Sequence, residues 1–199
     1  MANYTKTVQT DLLPMQDVAA STVVLGTVQI TSTTLGGIIG VRFGRRSATA
    51  STASANIRLE FSKSASGDNT WFPFAQFATN FAACESEAVS GTVAAGQKVI
   101  TVASTTNLAA GDIIFISNGT PANSEFARIK SIVANTSVTV EDDLVNAATG
   151  CTIYDSAEIY SGIEVPAGAV RIRAVFDGSL FTQNCAINVS LTTIDSIGA

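Results

Sequence analysis

The sequence predicts an all-β protein: a β-sandwich, jelly-roll-like host with a small β-barrel-like module inserted in one loop. Three observations lead there. Short segments with period-two apolar alternation recur along the chain, separated by clusters of Gly, Ser, Thr, Asn and Asp. No segment holds a 3.6-residue apolar period over the length a helix needs. Residues 88–152 carry their own strands and turns, whereas the stretches before and after are each too poor in strands to close a sandwich alone. The chain therefore divides into an extended N-terminal arm (1–20), a discontinuous host (21–87 and 153–199) and an inserted module (88–152).

Composition agrees with that class. Of 199 residues, 46% are hydrophobic but only 14% are charged, and Ser and Thr are abundant. A disordered chain would be more charged and less apolar. The net charge of −5 argues against a phosphate-binding surface, so no nucleic-acid partner is expected. No apolar run is long enough to span a bilayer, and no membrane partner is expected. No basic and apolar leader follows Met1, which points to synthesis in a cytoplasm. The Asn-x-Ser/Thr triplets at Asn3, Asn118, Asn135 and Asn188 carry no weight without such a leader.

Taken in order, residues 1–20 are polar around one apolar cluster, Leu12, Leu13, Pro14 and Met15. Pro14 excludes a regular helix or central strand there. A clip of this kind docks on something, either the host's own sandwich or a neighbouring subunit. Residues 21–31 read as the first strand, with Gly26 as a candidate bulge. Residues 36–43 read as the second. The basic pair Arg45-Arg46, with Arg42 just before, reads as solvated or as part of an interface. Residues 56–62 alternate cleanly, with Ile57, Leu59 and Phe61 on one face and Arg58, Glu60 and Ser62 on the other, as in an antiparallel sheet with one wet face. A loop containing Gly67-Asp68-Asn69 follows. Next come Trp71, Phe72, Phe74 and Phe77. They read either as the bulk of the core or as an exposed sugar-stacking or protein-binding platform. Residues 75–84 are the one place for a short helix.

Inside the module, residues 99–102, 112–117, 126–133 and 137–141 read as strands at about ten-residue spacing, the rhythm of a small antiparallel barrel. The acidic triplet Glu141-Asp142-Asp143 lacks the alternation of a calcium loop and reads as a solvated strand end. Past the module, residues 157–165, 169–176 and 185–194 complete the host. In the second of these Val170, Ile172, Ala174 and Phe176 face one way, and Arg171, Arg173 and Val175 the other.

The residues offer little chemistry. There is no histidine, which removes the usual base near neutral pH and any Ser–His or Cys–His nucleophile. Glu60, Glu158 and Glu164 lie in host strands with no pairing in their spacing. No phosphate loop or dinucleotide fingerprint occurs. Three cysteines without histidine do not make a zinc site, so no metal or other cofactor is expected. Cys84 and Cys151 flank the module and are either bonded at its neck or, with Cys185, small buried hydrophobes. No catalytic activity is expected.

Two patterns carry a family resemblance. One is the host pair NIRLEFSKSASGDNTWFPF and YSGIEVPAGAVRIRAVFDGS. The other is the module's GQKVITVASTTNLAAGDIIFI followed by RIKSIVANTSVTVEDDL. The module resembles small β modules of tailed-bacteriophage virion proteins. The whole, over most of residues 20–194, resembles capsid decoration (cement) or minor capsid proteins. The resemblance implies a non-enzymatic protein made in the infected bacterium and assembled into the virion, where its partners are the major capsid protein or other virion proteins. A homo-oligomer, taken as a trimer, is the expected state. Its assembly interface is expected at Leu12, Leu13, Pro14, Met15, Arg45 and Arg46. Two alternatives stay open: a tail, collar or baseplate component, and a receptor- or glycan-binding module of a fibre.

Overall fold

The computed structural model describes residues 3–8, 11–26, 28–29, 36–46, 50–51, 53–67, 70–79, 86–154, 158–160 and 165–198. The strands, in chain order, begin with β1 (Asn3–Val8), β2 (Leu13–Val18), β3 (Val23–Leu25), β4 (Val28–Gln29), β5 (Gly36–Arg45), β6 (Ala55–Ser62) and β7 (Trp71–Thr79). They continue with β8 (Ser86–Ala88), β9 (Val99–Thr101), β10 (Ile113–Ser117), β11 (Glu125–Val133), β12 (Ser137–Val140) and β13 (Thr152–Tyr154). The chain ends with β14 (Glu158–Tyr160), β15 (Arg171–Asp177) and β16 (Cys185–Gly198). One short 3-10 turn, Pro121–Asn123, is the only helical piece among the described residues.

Two sheets form the sandwich. In the first, β16 is central, with β1 and β2 on one side and β5, then β14, on the other. The second runs β3-β15-β6-β7, with β4 also on β15. The alternation read in the sequence decides what lies between them. Ile39, Val41 and Phe43 of β5 and Ile187, Val189 and Leu191 of β16 meet Ile57, Leu59, Ile172, Ala174 and Phe176 of the facing sheet in one buried cluster. Phe43 stacks on Phe176 at 5.6 Å and meets Phe181 edge-on at 6.1 Å. Of the aromatics near Trp71, Phe61, Phe74 and Phe77 pack half-buried against this cluster, while Phe72 is 53% exposed.

Residues 86–154 hold a sheet of their own, in the order β8-β13-β10-β11-β12-β9. An antiparallel bridge from Val89 to Val102, with a 2.8 Å bond from the Ser90 N–H to the Thr101 carbonyl, joins its two edges. The sheet thus curls on itself around a separate core that includes Ile100, Val102, Ile114, Ile129, Val138 and Val140. Its entry strand β8 and exit strand β13 are antiparallel neighbours, Ala88 opposite Thr152.

Several expectations change. The 75–84 helix is overturned as far as it is described: β7 runs to Thr79 and pairs with β6 along its length. The alanines there sit in a ladder, and tertiary pairing outweighs their helix preference. Residues 80–84, and Cys84 with them, lie outside the described residues, as does Glu164. The single strand expected over 21–31 is split into β3 and β4, and Gly26 between them is a close-approach position. A Cβ on Gly26 would lie 1.8 Å from the Leu12 carbonyl oxygen, because the N-terminal segment crosses directly over it. The arm itself forms β1 and β2, both hydrogen-bonded to the last strand.

Candidate assembly surfaces

Of the two destinations open for the apolar clip, the structure fills the intramolecular one. Leu12 and Leu13 are 2% and 1% exposed and belong to the sandwich core. Pro14 is exposed. The buried Asn188 holds this segment in place, its carboxamide donating to the Asp11 carboxylate at 2.7 Å and the Leu13 carbonyl at 3.1 Å. Met15 points outward from the same sheet and meets the barrel.

That meeting is a second, smaller apolar core. Phe115 of β10 is fully buried with Ala186 of β16, and Met15, Ile113, Phe126 and Tyr154 pack around the pair. The rings of Phe115 and Phe126 lie 5.0 Å apart. Opposite them β5 has Gly44, where a Cβ would come within 2.7 Å of the Phe115 ring. Absence of a side chain at Gly44 is what lets both rings approach the sheet so closely.

Arg46 pins the polar rim of this joint. It pairs with Asp17 of β2, and its Nε donates to Ser117 Oγ of β10 at 3.2 Å. Its backbone N–H donates to the Asn184 carbonyl. One guanidinium thus ties arm and barrel to the sandwich. Burial raises the Asp17 carboxyl above its ordinary 3.8, against the pull of the Arg46 charge and hydrogen bond. Arg45 lies half-buried, opposite Cys185 in the β5–β16 pair. Cys185 and Cys151 are buried free thiols. Burial pushes both thiols up, with the Asp17 charge adding to the effect at Cys185 and the Glu125 charge at Cys151, so neither is a ready nucleophile.

The outer face of the second sheet carries a charged row that alternation foretold only in part. Glu60 accepts from Arg173 at 2.6 Å and lies 3.5 Å from Arg58, which is also 3.5 Å from Asp177. Arg171 donates to the Ser64 and Gly67 carbonyls, closing the loop after β6. The guanidinium carbons of Arg171 and Arg173 stand 4.6 and 4.5 Å from the Trp71 ring centre. A Trp ring covered by two cations from its own sheet is a cation–π support, not a free stacking platform.

A cavity of about 200 Å³ lies where Arg42 of β5 faces Phe126, Arg128 and residues 141–144 of the barrel. Three of its four acids, all but Asp142, have partners. Glu125 accepts the Val145 and Asn146 N–H groups, Glu141 faces Arg128 at 3.8 Å, and Asp143 faces Lys98 at 3.7 Å. Among the described residues no group of three or more Cys, Asp or Glu is placed to hold a metal ion, and no helix is long and apolar enough to cross a membrane.

The barrel's outside is apolar in places. Val99, Val133 and Val145 are 51%, 58% and 79% exposed. Val145 sits on a loop fixed by the two Glu125 bonds, so it is presented rigidly. Sequence reasoning missed Phe115, Gly44 and the Asp17–Arg46–Ser117 link. A signal for the first existed: IIFIS is an unbroken apolar run rather than an alternating one, the mark of a strand buried on both faces.

No family model matches the chain, and no curated protein matches it. A solved structure it is similar to is VP17, a capsid protein of bacteriophage P23-77. The two are 11% identical, with 96% of this chain and 100% of that chain covered, at a TM-score of 0.18. At that score the likeness carries no argument about this chain.

Proposed function

We propose that this chain is a non-enzymatic structural protein of a tailed-bacteriophage virion, of the capsid decoration type. It would bind the major capsid protein or a neighbouring virion protein, as a homo-oligomer. The observation that carries the reading is the physical role of the residues behind the phage-module resemblance. In the G-D-x-I and R-I-x-S-I segments, the Gly111 N–H donates to the Ile129 carbonyl at 2.7 Å and the Ile129 N–H to the Asp112 carbonyl at 2.8 Å. The Asp112 carboxylate accepts the Ala109 N–H, and Arg128 donates to the Gly111 carbonyl at 2.8 Å. Ile114 and Ile129 of the same segments are buried in the barrel core, and Ile132 packs against it. The resemblance therefore falls on residues that build the turn before β10, its link to β11 and the barrel core.

On this reading residues 88–152 are an insertion in the host, supported by the separate sheet and core of residues 86–154 and by the adjacency of β8 and β13. The assembly contact moves away from Leu12 and Leu13, which are engaged in the chain's own core, toward exposed residues such as Pro14, Val99, Val133 and Val145. The fibre alternative loses its platform, because Trp71 is covered by Arg171 and Arg173.

The test is stoichiometry and position in purified virions of the phage that encodes the chain. Gel densitometry should give copies on the order of hundreds per particle, and immunogold labelling should fall on the head. Absence from the particle overturns the structural reading, and about six or twelve copies at the tail overturns the decoration reading.

A further inference from the structure

Two steps in the chain place a carboxamide or carboxyl side chain directly before glycine, where the next backbone nitrogen can close on it: Asn118-Gly119 and Asp177-Gly178. The fold treats them oppositely. At Asp177-Gly178 the glycine is buried and its N–H donates to the Thr22 carbonyl at 3.0 Å. A Cβ there would sit 2.5 Å from the Phe176 ring, so the backbone has no room to swing. The Asp177 carboxylate accepts the Ser179 hydroxyl at 2.8 Å and the Ser179 N–H at 3.3 Å. These bonds hold it as an anion, which is a poor electrophile.

At Asn118-Gly119 the Asn118 N–H is held by the Ser124 hydroxyl at 3.1 Å, but the reacting groups are not restrained in this way. Both residues are exposed, just past the end of β10 and outside any strand. The Gly119 N–H reaches only the Ser117 hydroxyl, at 3.5 Å, the outer limit of a hydrogen bond. No atom lies within 4 Å of where a Gly119 Cβ would be, so nothing crowds the approach.

We propose that Asn118 is a modification site, deamidating spontaneously through a cyclic imide. The Gly119 amide nitrogen, giving its proton to solvent base, attacks the Asn118 Cγ. The new C–N bond forms as the carboxamide C–N bond breaks, and ammonia leaves with a proton from water. Water then opens the five-membered ring at either carbonyl. One opening leaves aspartate at 118; the other leaves isoaspartate, with an extra methylene in the main chain. No oxidant or cofactor is needed. The product is one charge more negative, and the change falls beside Ser117, whose hydroxyl holds Arg46 at the joint of barrel and sandwich.

The full-length protein, aged in mildly alkaline buffer at growth temperature, is followed by ion exchange and peptide mapping with isoaspartate detection. A free peptide spanning 116–120 is aged beside it. The expected result is a more acidic species whose mass change (NH replaced by O) maps to residue 118. Its rate should lie within about tenfold of the peptide's. Asn118→Gln, whose longer side chain closes the ring far more slowly, should fold identically by circular dichroism and lose that species. Conversion of the peptide but not of the folded protein, or a change mapping to Asp177 instead, overturns the proposal.

Discussion

Replacing Phe115 by alanine tests whether barrel and sandwich act as one body. The ring is fully buried in a small cluster distinct from both main cores, where it joins Ala186 and Met15 of the sandwich to Phe126 of the barrel. A buried Phe→Ala change costs about 3–5 kcal/mol, with the larger values where the site cannot collapse. Collapse is limited from the sheet side. Gly44 and Ala186 are paired to each other in the middle of a sheet, and neither has a side chain able to swing into the space. The expected loss is therefore about 4–5 kcal/mol, a large share of a typical domain's stability of about 5–15 kcal/mol. Because the lost contact lies between the two cores, the unfolding transition should also split. Trp71, the chain's one tryptophan, reports on the sandwich alone, and far-ultraviolet circular dichroism reports on both parts. In urea the two signals should coincide for the parent protein and separate for Phe115→Ala. A loss below about 1 kcal/mol with coincident transitions would refute the reasoning, since it would mean that the ring's burial does not couple the parts.

Other changes probe the same frame. Gly26→Ala puts a Cβ into the Leu12 carbonyl, so it should release the N-terminal segment; limited proteolysis should then cut before residue 20 while the parent resists. Arg46→Ala strips the cation from a mostly buried Asp17 carboxylate and should cost about 2 kcal/mol in urea denaturation, most of it recovered when Asp17→Asn is added. Asp177 has its carboxyl held below the ordinary 3.8 by the Ser179 hydroxyl and N–H, with Arg58 helping against the opposing effect of burial. Its contribution is thus fully present above about pH 4 and is lost as pH falls through the lower folded value. Asp177→Asn should flatten that part of the acid limb in a pH series of thermal melts, and an unchanged limb would count against the Ser179 bonds.

How much of this was legible depended on which physical signal each element carries. The strands β6, β15 and β16 are half-buried, and half-burial writes itself as alternation, so Ile57, Leu59, Ile172, Ala174, Ile187 and Val189 could be placed in the core from the sequence. The barrel strands were legible from their spacing and turn residues, β10 as an unbroken apolar run rather than an alternating one. The N-terminal strands were not. Pro14 and a polar composition read as an arm, because the pairing of β1 and β2 with β16 is a contact across the whole chain and leaves no local trace. Gly26 and Gly44 posed a related problem. A glycine in a strand pattern signals that something comes close, but only the fold says that Leu12 crosses one and Phe115 the other. The basic pair at 45–46 drew attention as a charge cluster. What Arg46 does depends on Asp17 and Ser117, which are distant in sequence.

The pairing of the first strands with the last has a consequence for how the chain is made. During synthesis β1, β2 and β5 emerge before β16, so the centre of the first sheet is missing until residues 185–198 leave the ribosome. The strands within residues 86–154 take their strand partners from the same stretch and can close their barrel while the rest waits. Leu12, Leu13, Ile39, Val41 and Phe43 are then without their cover for the longest time. A translation pause or truncation between residues 154 and 185 would leave a folded barrel attached to bare strands. The chain is therefore most prone to aggregate in the interval before residues 185–198 become available to cover those strands.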